Sequence, residues 1–554
     1  MMEEKTFNII QAFVEHAELA PIRTAIVVPV GRDAQGRSKT VQLSFKQLNR
    51  LCDQYAHGFL NYGFGKKDRV LLMVRPGIDL IAIVLALIKM GAVPVIIDPG
   101  MGVKALAQCV SEAGPTGFIG IPPAHILRLL CPKAFRNIKR HVTAGRRWFW
   151  GGADLKSIRS NSQTPFPVAD TTAADEAVIA FTSGGTGIPK GVVYSHGMAG
   201  AILESLRSDL KMTPGEVHLA AFYAFALFMP SLGVTTVVPD MDPRRTARVN
   251  PAYLVEAIHA HGVTNSMGSP IIWEKVADYC RAGHIRLPSV KHVFMFGAEV
   301  SPDILKDFVS ILDRGRAYTP YGATEALPLT NIGHEEIINE TAALTARGAG
   351  VCVGRPIARA VVRIIPITDA PVPDWDDALS LPDGRMGEIV ARGPAVSRAY
   401  LNRPQKTAES KIYSPAGVWH RMGDLGYFDD KGRLWFCGRM VHRVETPGGL
   451  LTPVQCETIF NHHPDVKRTA LVGIGPYGAQ RPVILAEPRP HKKPLSAGFK
   501  KDLVAQLLEL GQKHAHTRQI KDILIYDRPF PVDVRHNSKI QRHKLAQWAR
   551  MKLK

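Results

Sequence analysis

Short apolar runs alternating with stretches of helical period restrict this chain more than any other feature. Ala25-Ile26-Val27-Val28, Arg69-Val70-Leu71-Leu72-Met73, Val93-Pro94-Val95-Ile96-Ile97, Ala177-Val178-Ile179-Ala180-Phe181 and His292-Val293-Phe294-Met295-Phe296 are each almost wholly apolar. Strands of that kind must be covered on both faces, and parallel pairing needs a long crossover between them. The alternation therefore predicts an α/β fold with covered parallel sheets up to about residue 330. From about 351 to 437 the pattern changes to short alternating strands and turns, as in Val361-Val362-Arg363-Ile364-Ile365, Gly387-Glu388-Ile389-Val390-Ala391 and Arg433-Leu434-Trp435-Phe436, which predicts a small β subdomain. Past Arg439 a further unit follows, with strands near Thr469–Gly473 and Val483–Leu485 and an amphipathic helix around Lys501 to Leu510.

The strongest local signal is Phe181-Thr182-Ser183-Gly184-Gly185-Thr186-Gly187-Ile188-Pro189-Lys190-Gly191. Small residues there can bring backbone N–H groups and hydroxyls against a polyphosphate without Cβ obstruction, and Lys190 adds a positive charge. The order is neither GxxxxGK[ST] nor GxGxxG, so it is neither a Walker A loop nor a dinucleotide-binding turn. A surface linker has similar composition, but the strand before this loop places it at a sheet's carboxyl edge, where α/β folds bind ligands.

Composition narrows the class. With 554 residues, 45% of them hydrophobic and 21% charged, the chain can bury a large core in several units and is neither disordered nor collagen-like. Its seven cysteines are scattered, with no CxxC pair, which argues against a disulfide framework or a zinc site and fits a reducing, cytoplasmic setting. No signal peptide is expected behind Met1-Met2-Glu3-Glu4-Lys5. The apolar run Leu80 to Ile88 is too short to span a membrane. The longer run from Val217 to Pro239 holds His218, Pro230 and Gly233 and ends in Val234-Thr235-Thr236-Val237-Val238, so a buried strand is expected there. The net charge is +20, and residues 439–554 hold 21 basic against 9 acidic residues. Such a surplus attracts anionic partners or simply solvates a face. Zinc-finger spacing, RNP-type strands and heptad-backed basic helices are all missing from the sequence, so nucleic acid is not expected as a partner.

Thr182 to Gly191 resembles the phosphate loop of adenylate-forming enzymes, the superfamily of acyl-CoA synthetases, peptide-synthetase adenylation domains and luciferase. Further stretches resemble that family's motifs in order: Leu85 to Pro99, Gly297-Ala298-Glu299, Tyr321-Gly322-Ala323-Thr324-Glu325, Gly423-Asp424-Leu425, Gly438-Arg439 and Asn537-Ser538-Lys539-Ile540. The resemblance implies a large N-terminal adenylation domain over 1–438, with a β-barrel-like subdomain at 351–438. It also implies a hinge at 439–445 and a small, mobile α+β lid domain at 446–554 carrying a catalytic lysine. ATP and Mg²⁺ are the implied cofactors. Glu325 would hold Mg²⁺. Thr182, Ser183, Gly184, Gly185, Thr186, Gly187, Lys190 and Thr324 would surround the phosphates. Gly297, Ala298, Glu299 and Tyr321 would enclose adenine, Gly322 would belong to the cofactor-binding set, Asp424 would bind the ribose hydroxyls, Arg439 would stand at the hinge entrance, and Lys539 would bridge ribose and α-phosphate. A carboxylate attacking phosphorus needs such charge compensation around the leaving pyrophosphate.

The departures concern the second half-reaction. The family's hinge commonly reads GRxKDxIKxxGxxIxPxEIE, whereas here His442 replaces the hinge Asp or Lys, Glu445 the following Lys and Gln455 the Glu of PxE; Met422 precedes Gly423 in place of Thr. Because that hinge brings a thiol to the acyl-adenylate, CoA is a doubtful second substrate. Phe225 to Phe228, His442 to Thr446 and Pro531 to Ile540 are most similar to the β-lactone-forming branch of the superfamily in bacterial olefin biosynthesis. That branch adenylates a long-chain 2-alkyl-3-hydroxyalkanoic acid, whose own hydroxyl then displaces AMP. His442 and His218 are candidate bases by side-chain type, and each can equally be structural. A long-chain fatty acyl-CoA synthetase, or a catalytically inactive binding subunit, stays open as an alternative.

An acyl pocket is expected from Leu219 to Val238, with Phe222, Phe225, Phe228 and Met229, though core packing explains the same run. Arg128 to Arg147 followed by Trp148-Phe149-Trp150 reads as a protein contact, a peripheral membrane contact or a buried aromatic corner. The resemblance favours protein, implying an assembly with a hydrolase and a reductase.

Overall fold

The computed structural model describes residues 6–182, 189–489, 496–532 and 540–553, with only the backbone of Pro99 and Thr182. Among these residues two seven-stranded sheets repeat one plan, six parallel strands and an antiparallel edge strand. In the first, the order is Ala153–Asp154, Arg140–Thr143, Gly117–Gly120, Arg69–Met73, Val93–Ile97, Glu176–Thr182, then antiparallel Lys190–Ser195. In the second it is Arg316–Tyr318, His292–Met295, Asn265–Gly268, Val217–Leu219, Thr235–Val237, Thr24–Arg32, then antiparallel Ser38–Ser44. The apolar runs read from the sequence are the central strands of these sheets.

Helices cover the sheets as the apolar strand faces require. Phe45–Asn61, Ile78–Lys89 and His196–Ser208 share a core with the inner face of the first sheet and with Met267 and Phe294 of the second. Val103–Ala113 and Pro122–Leu130 cover the outer face of the first sheet, and Pro251–His261, Pro270–Ala282 and Pro302–Ser310 cover that of the second. The run Leu80 to Ile88 thus lies inside a twelve-residue buried helix, whose Lys89 amine is satisfied by Asp53 and by Asn49 at 3.0 Å. The run from Val217 to Pro239 divides into a strand, the helix Tyr223–Ala226, a 3-10 turn and the strand Thr235–Val237. No helix of the described residues is long and apolar enough to cross a membrane. All seven cysteines are free thiols.

An antiparallel sheet of eight strands follows, including Val351–Pro356, Val361–Ile365, Gly387–Arg392, Gly417–Phe428 and Leu434–Arg439. It starts at Tyr321–Ala323 and Ala326–Asn331, ahead of residue 351 where its pattern becomes visible in the sequence. The last unit packs Val466–Ile474, Arg481–Pro488 and Asp522–Ile525 between the helices Pro453–Phe460 and Ala497–Gln512 on one face and Arg542–Lys552 on the other.

His218 lies in the middle of the second sheet, fully buried, with Nδ1 2.6 Å from Asn265 Oδ1. Burial lowers its pKa from 6.5 to about 4. Between those values the unfolded chain binds a proton that the folded chain refuses, so stability is intact above pH 6.5 and falls with pH by up to about 3 kcal/mol. In urea titrations at pH 7 and pH 4.5, His218→Gln should therefore lose less stability on acidification than the wild type. An equal loss in both proteins would show that His218 does not set the acid limb.

Candidate active site

The carboxyl ends of both parallel blocks open into one cavity of about 2650 Å³, also lined by the antiparallel sheet and by the C-terminal unit. The second sheet delivers Gly297-Ala298-Glu299 just after the strand His292–Met295, with Gly297 at φ +87°, a turn that side chains disfavour. The antiparallel sheet delivers Tyr321, Gly322, Thr324, Glu325, Asp424 and Arg439, and the C-terminal side adds His442, Glu457 and Arg542. At Gly322 a Cβ would stand 2.7 Å from the Ala326 carbonyl oxygen, so the hairpin at the cavity wall needs glycine.

Asp424 and Arg439 face each other across neighbouring strands. The Asp424 carboxylate is buried, accepting from Tyr321 Oη at 2.6 Å on Oδ2 and from Arg439 Nη1 at 2.8 Å on Oδ1. Burial and the adjacent carboxylate push the Tyr321 phenol well above its ordinary value, and Asp424 likewise holds Arg439 firmly protonated. A carboxylate has about four acceptor positions, so Asp424 keeps capacity for a vicinal diol presented from the cavity.

Glu325 is held from behind. Its Oε1 accepts from Tyr400 Oη at 2.6 Å, its carbonyl oxygen accepts from Ser397 N at 2.8 Å, and the preceding Thr324 carbonyl accepts from Tyr194 Oη at 2.7 Å. The Lys190 amine sits 4.6 Å from the centre of the Tyr400 ring. Burial lowers its pKa, while Glu325 acts in the opposite direction. Lys411 is buried on the same side, donating to the Ser397 carbonyl and, at 3.0 Å, to its hydroxyl, with its amine lowered to about 7 by burial. Magnesium is commonly held by one or two carboxylates together with substrate phosphates. A single oriented Glu325 at the cavity wall fits that donor set, and no cluster of three or more His, Cys, Asp or Glu forms a separate metal site among the described residues.

Ten of the residues singled out in the sequence thus line one cavity: Gly297, Ala298, Glu299, Tyr321, Gly322, Thr324, Glu325, Asp424, Arg439 and His442. Lys190 lies behind the wall, reaching the site through Tyr400. The side chain of Thr182, and all of Ser183, Gly184, Gly185, Thr186, Gly187 and Lys539, fall outside the described residues. Of the two candidate bases, His218 is sealed in the core away from the cavity, a structural histidine. His442 does line the cavity, its pKa lowered to about 3 by burial and by Arg542, Arg439 and His543, so it is neutral at physiological pH. Phe222, Phe225 and Phe228 face the cavity, whereas Met229 is wholly buried in the core. The aromatic triplet splits: Trp150 is buried, stacked on His125 at 5.1 Å and donating to Thr143 Oγ1 at 2.9 Å, while Trp148 and Phe149 are 51% and 80% exposed. Tyr400, Lys411 and Tyr194 escape the sequence reading. Their only advance signal is a tyrosine before Asn402-Arg403-Pro404, and their importance depends on which strand lies beside them.

Comparison with known proteins agrees with this geometry. The model of the family of AMP-binding enzymes matches residues 13–401. The olefin beta-lactone synthetases of Xanthomonas campestris pv. campestris and Stenotrophomonas maltophilia are each 43% identical to the chain, over 98% and 99% of its length and 97% and 98% of theirs. Among solved structures, the amide bond synthetase McbA from Marinactinospora thermotolerans superposes with a TM-score of 0.78 at 20% identity, covering 98% of this chain and 99% of its own.

Tyr400→Phe removes the hydroxyl that orients Glu325 without opening a large void. A hydrogen bond to a charged group contributes about 1.5–3 kcal/mol, so ATP–pyrophosphate exchange should slow by about tenfold or more while the thermal midpoint shifts little. Undiminished exchange would remove Tyr400 from the site.

Proposed function

The chain belongs to the family of AMP-binding enzymes and is an adenylate-forming ligase, and we propose that it adenylates a long-chain 2-alkyl-3-hydroxyalkanoic acid and closes it to a β-lactone. Enzymes of this kind act on a carboxylic acid with ATP, typically with Mg²⁺. The observation that carries the finer reading is the near full-length agreement with two olefin beta-lactone synthetases, joined to a cavity whose lining combines Glu325, Asp424 and Arg439 with extensive apolar wall from the parallel sheets and their helices.

In the proposed reaction the carboxylate attacks the α-phosphorus of ATP and pyrophosphate leaves. Mg²⁺ would be held by Glu325 and would offset charge on the phosphates, with Thr182 to Gly187, Lys190 and Thr324 around them. Asp424 would take the ribose hydroxyls, Tyr321 and Gly297-Ala298-Glu299 would enclose adenine, and Gly322 would belong to the same cofactor-binding set. Lys539 would bridge ribose and α-phosphate. The substrate's 3-hydroxyl oxygen then bonds to the acyl carbon, the acyl–phosphate bond breaks, AMP leaves and the hydroxyl gives up its proton. His442, kept neutral by burial and by Arg542, Arg439 and His543, would stand at the cavity wall as a candidate acceptor of that proton. The chain divides, on this reading, into a catalytic domain at 1–438, a hinge at 439–445 and a lid at 446–554.

The hinge supports an internal nucleophile over CoA. Arg443, its side chain 6% exposed, binds Asp369 Oδ2 at 2.6 Å on one side and Glu445 Oε1 at 2.8 Å and the Tyr477 hydroxyl on the other. A long-chain acyl-CoA ligase, the weaker reading, must turn about this segment in every cycle. Exposed Ile126, Leu129, Leu130, Trp148 and Phe149 beside Arg128, Arg146 and Arg147 offer a surface for partner proteins of hydrolase and reductase type. The unpaired cysteines support a cytoplasmic setting.

Mass spectrometry of products from the purified chain, Mg²⁺-ATP and the racemic acid, with and without CoA, tests the proposal. The expected product is one water lighter than the acid, appears with AMP and ignores CoA, whereas a thioester formed only with CoA would replace the lactone reading. Lys539→Ala should cost about 10²–10³-fold in AMP formation, the scale for losing one charge-stabilising donor. Wild-type rates in that variant would strip Lys539 of its role.

A further inference from the structure

The cavity is larger than the roughly 300–1,000 Å³ of an ordinary ligand pocket, and its shape explains why. Side chains alternate between the two faces of a strand. In the three central strands of the first sheet, Leu72, Ile96 and Ala180 belong to one face and Met73, Ile97 and Phe181 to the other, yet all six line the cavity. The cavity therefore wraps over the carboxyl ends of these strands and continues along both faces.

Each continuation is an apolar arm with its own walls. The inner arm is directed between the two parallel sheets, past Val84 and Ile88 of the helix Ile78–Lys89 and Ile202 and Leu206 of the helix His196–Ser208, to Ile10, side chains that are nearly fully buried and that an entering chain has to part. The outer arm runs under the helices Val103–Ala113 and Pro122–Leu130, walled by Leu106, Ile121, Ala124 and Leu127. The second helix also leaves Ile126, Leu129 and Leu130 exposed on its far side, so its apolar residues serve both the arm and the surface. Between the arms lie the strand ends, and Thr324, Gly297 and Ala298 line the same cavity.

We propose that the two arms are separate sites for two alkyl chains, the outer one taking the branch at carbon 2 and the inner one the main chain beyond carbon 3. This rests on the lactone-forming reading for the identity of the acid. A straight-chain acid needs one arm, whereas chains leaving adjacent carbons diverge and cannot share a channel one chain wide. Placing them on opposite sides of the sheet fixes the orientation of the carboxylate and of the 3-hydroxyl relative to each other. The walls of both arms are apolar, so each methylene buried in them strengthens binding. Side-chain volume in the outer arm, chiefly at Ala124 and Leu127, then sets the permitted branch length.

ATP–pyrophosphate exchange by the full chain tests this independently of lactone closure, because it reports adenylation alone. The probes are a 3-hydroxy fatty acid and the same acid bearing a 2-alkyl chain. Ala124→Trp should lower the ratio of kcat/KM for the branched over the unbranched acid by tenfold or more, and Leu127→Ala should move the preferred branch to a longer one. Ile202→Trp, in the inner arm, should depress both acids and leave the ratio within about twofold. A ratio unmoved by Ala124→Trp and by Leu127→Ala, or exchange with neither acid, would overturn the assignment. Failure of lactone closure shows instead in the product mass, with the exchange ratios intact.

Discussion

Where the parallel strands end decides where chemistry can happen in this molecule. A parallel sheet covered on both faces has room only for apolar side chains along most of its length, since a buried polar group without partners is costly. Leu71, Val95, Ile179 and Val293 are accordingly buried completely. Polar groups become affordable just past the carboxyl ends, where the covering helices have not yet begun and backbone donors are free. Both seven-stranded sheets point those ends into the same crevice, so Gly297 to Glu299 and the strand end at Phe181 come to one place from distant parts of the chain. The antiparallel sheet then brings what the parallel sheets cannot carry: the buried carboxylate Asp424, held by Tyr321 and Arg439, and the carboxylate Glu325, oriented by Tyr400.

Those two carboxylates are prepared in different ways. Asp424 is held by a neutral hydroxyl and a guanidinium and retains acceptor capacity toward the cavity. Glu325 has its orientation set by Tyr400, which in turn lies against the amine of Lys190 at 4.6 Å, with Lys411 at 6.0 Å from the same ring. The aromatic ring keeps those amines from pairing with the carboxylate outright. A Glu325 closed into a salt bridge would have its charge spent within the protein, whereas a hydrogen bond from a phenol orients it and leaves the charge for a cation arriving with phosphates.

The central strands were legible because their residues leave no alternative: Arg69–Met73 and Val93–Ile97 are β-branched or aliphatic almost throughout. Tyr321 to Asn331 was not legible as sheet, since Gly322 and Pro328 interrupt it and its pairing partners, at Val351–Pro356, come later in the chain. The gathering of residues at the cavity was legible wherever a residue belongs to a motif of its own, as with Glu325 and Asp424. It was hidden wherever a residue acts through a neighbour distant in sequence, as with Tyr400, 75 positions from Glu325. The two histidines illustrate the same limit. His218 and His442 differ little in local sequence character, and only the packing seals one between strands and leaves the other at the cavity wall. Trp148, Phe149 and Trp150 are adjacent and their rings touch, yet just Trp150 is buried with a hydroxyl to satisfy its indole.

An internal nucleophile changes what the segment after the antiparallel sheet has to do. When a separate thiol must reach the acyl-adenylate, the C-terminal unit has to leave its position over the nucleotide, and a charged hinge that re-forms its contacts in each position is an advantage. When the hydroxyl is already two carbons from the acyl carbon, its effective concentration can reach about 10⁵–10⁸ M without motion of the protein, and opening the site mainly admits water that would hydrolyse the adenylate. Selection then favours a closed hinge. The Arg443 guanidinium, buried between Asp369 and the Glu445–Tyr477 pair, is what such a requirement would produce. Breaking it strips the buried Arg443 guanidinium of its carboxylate and hydroxyl partners, so these contacts favour a hinge that stays closed over a reactive intermediate until its own hydroxyl closes the ring.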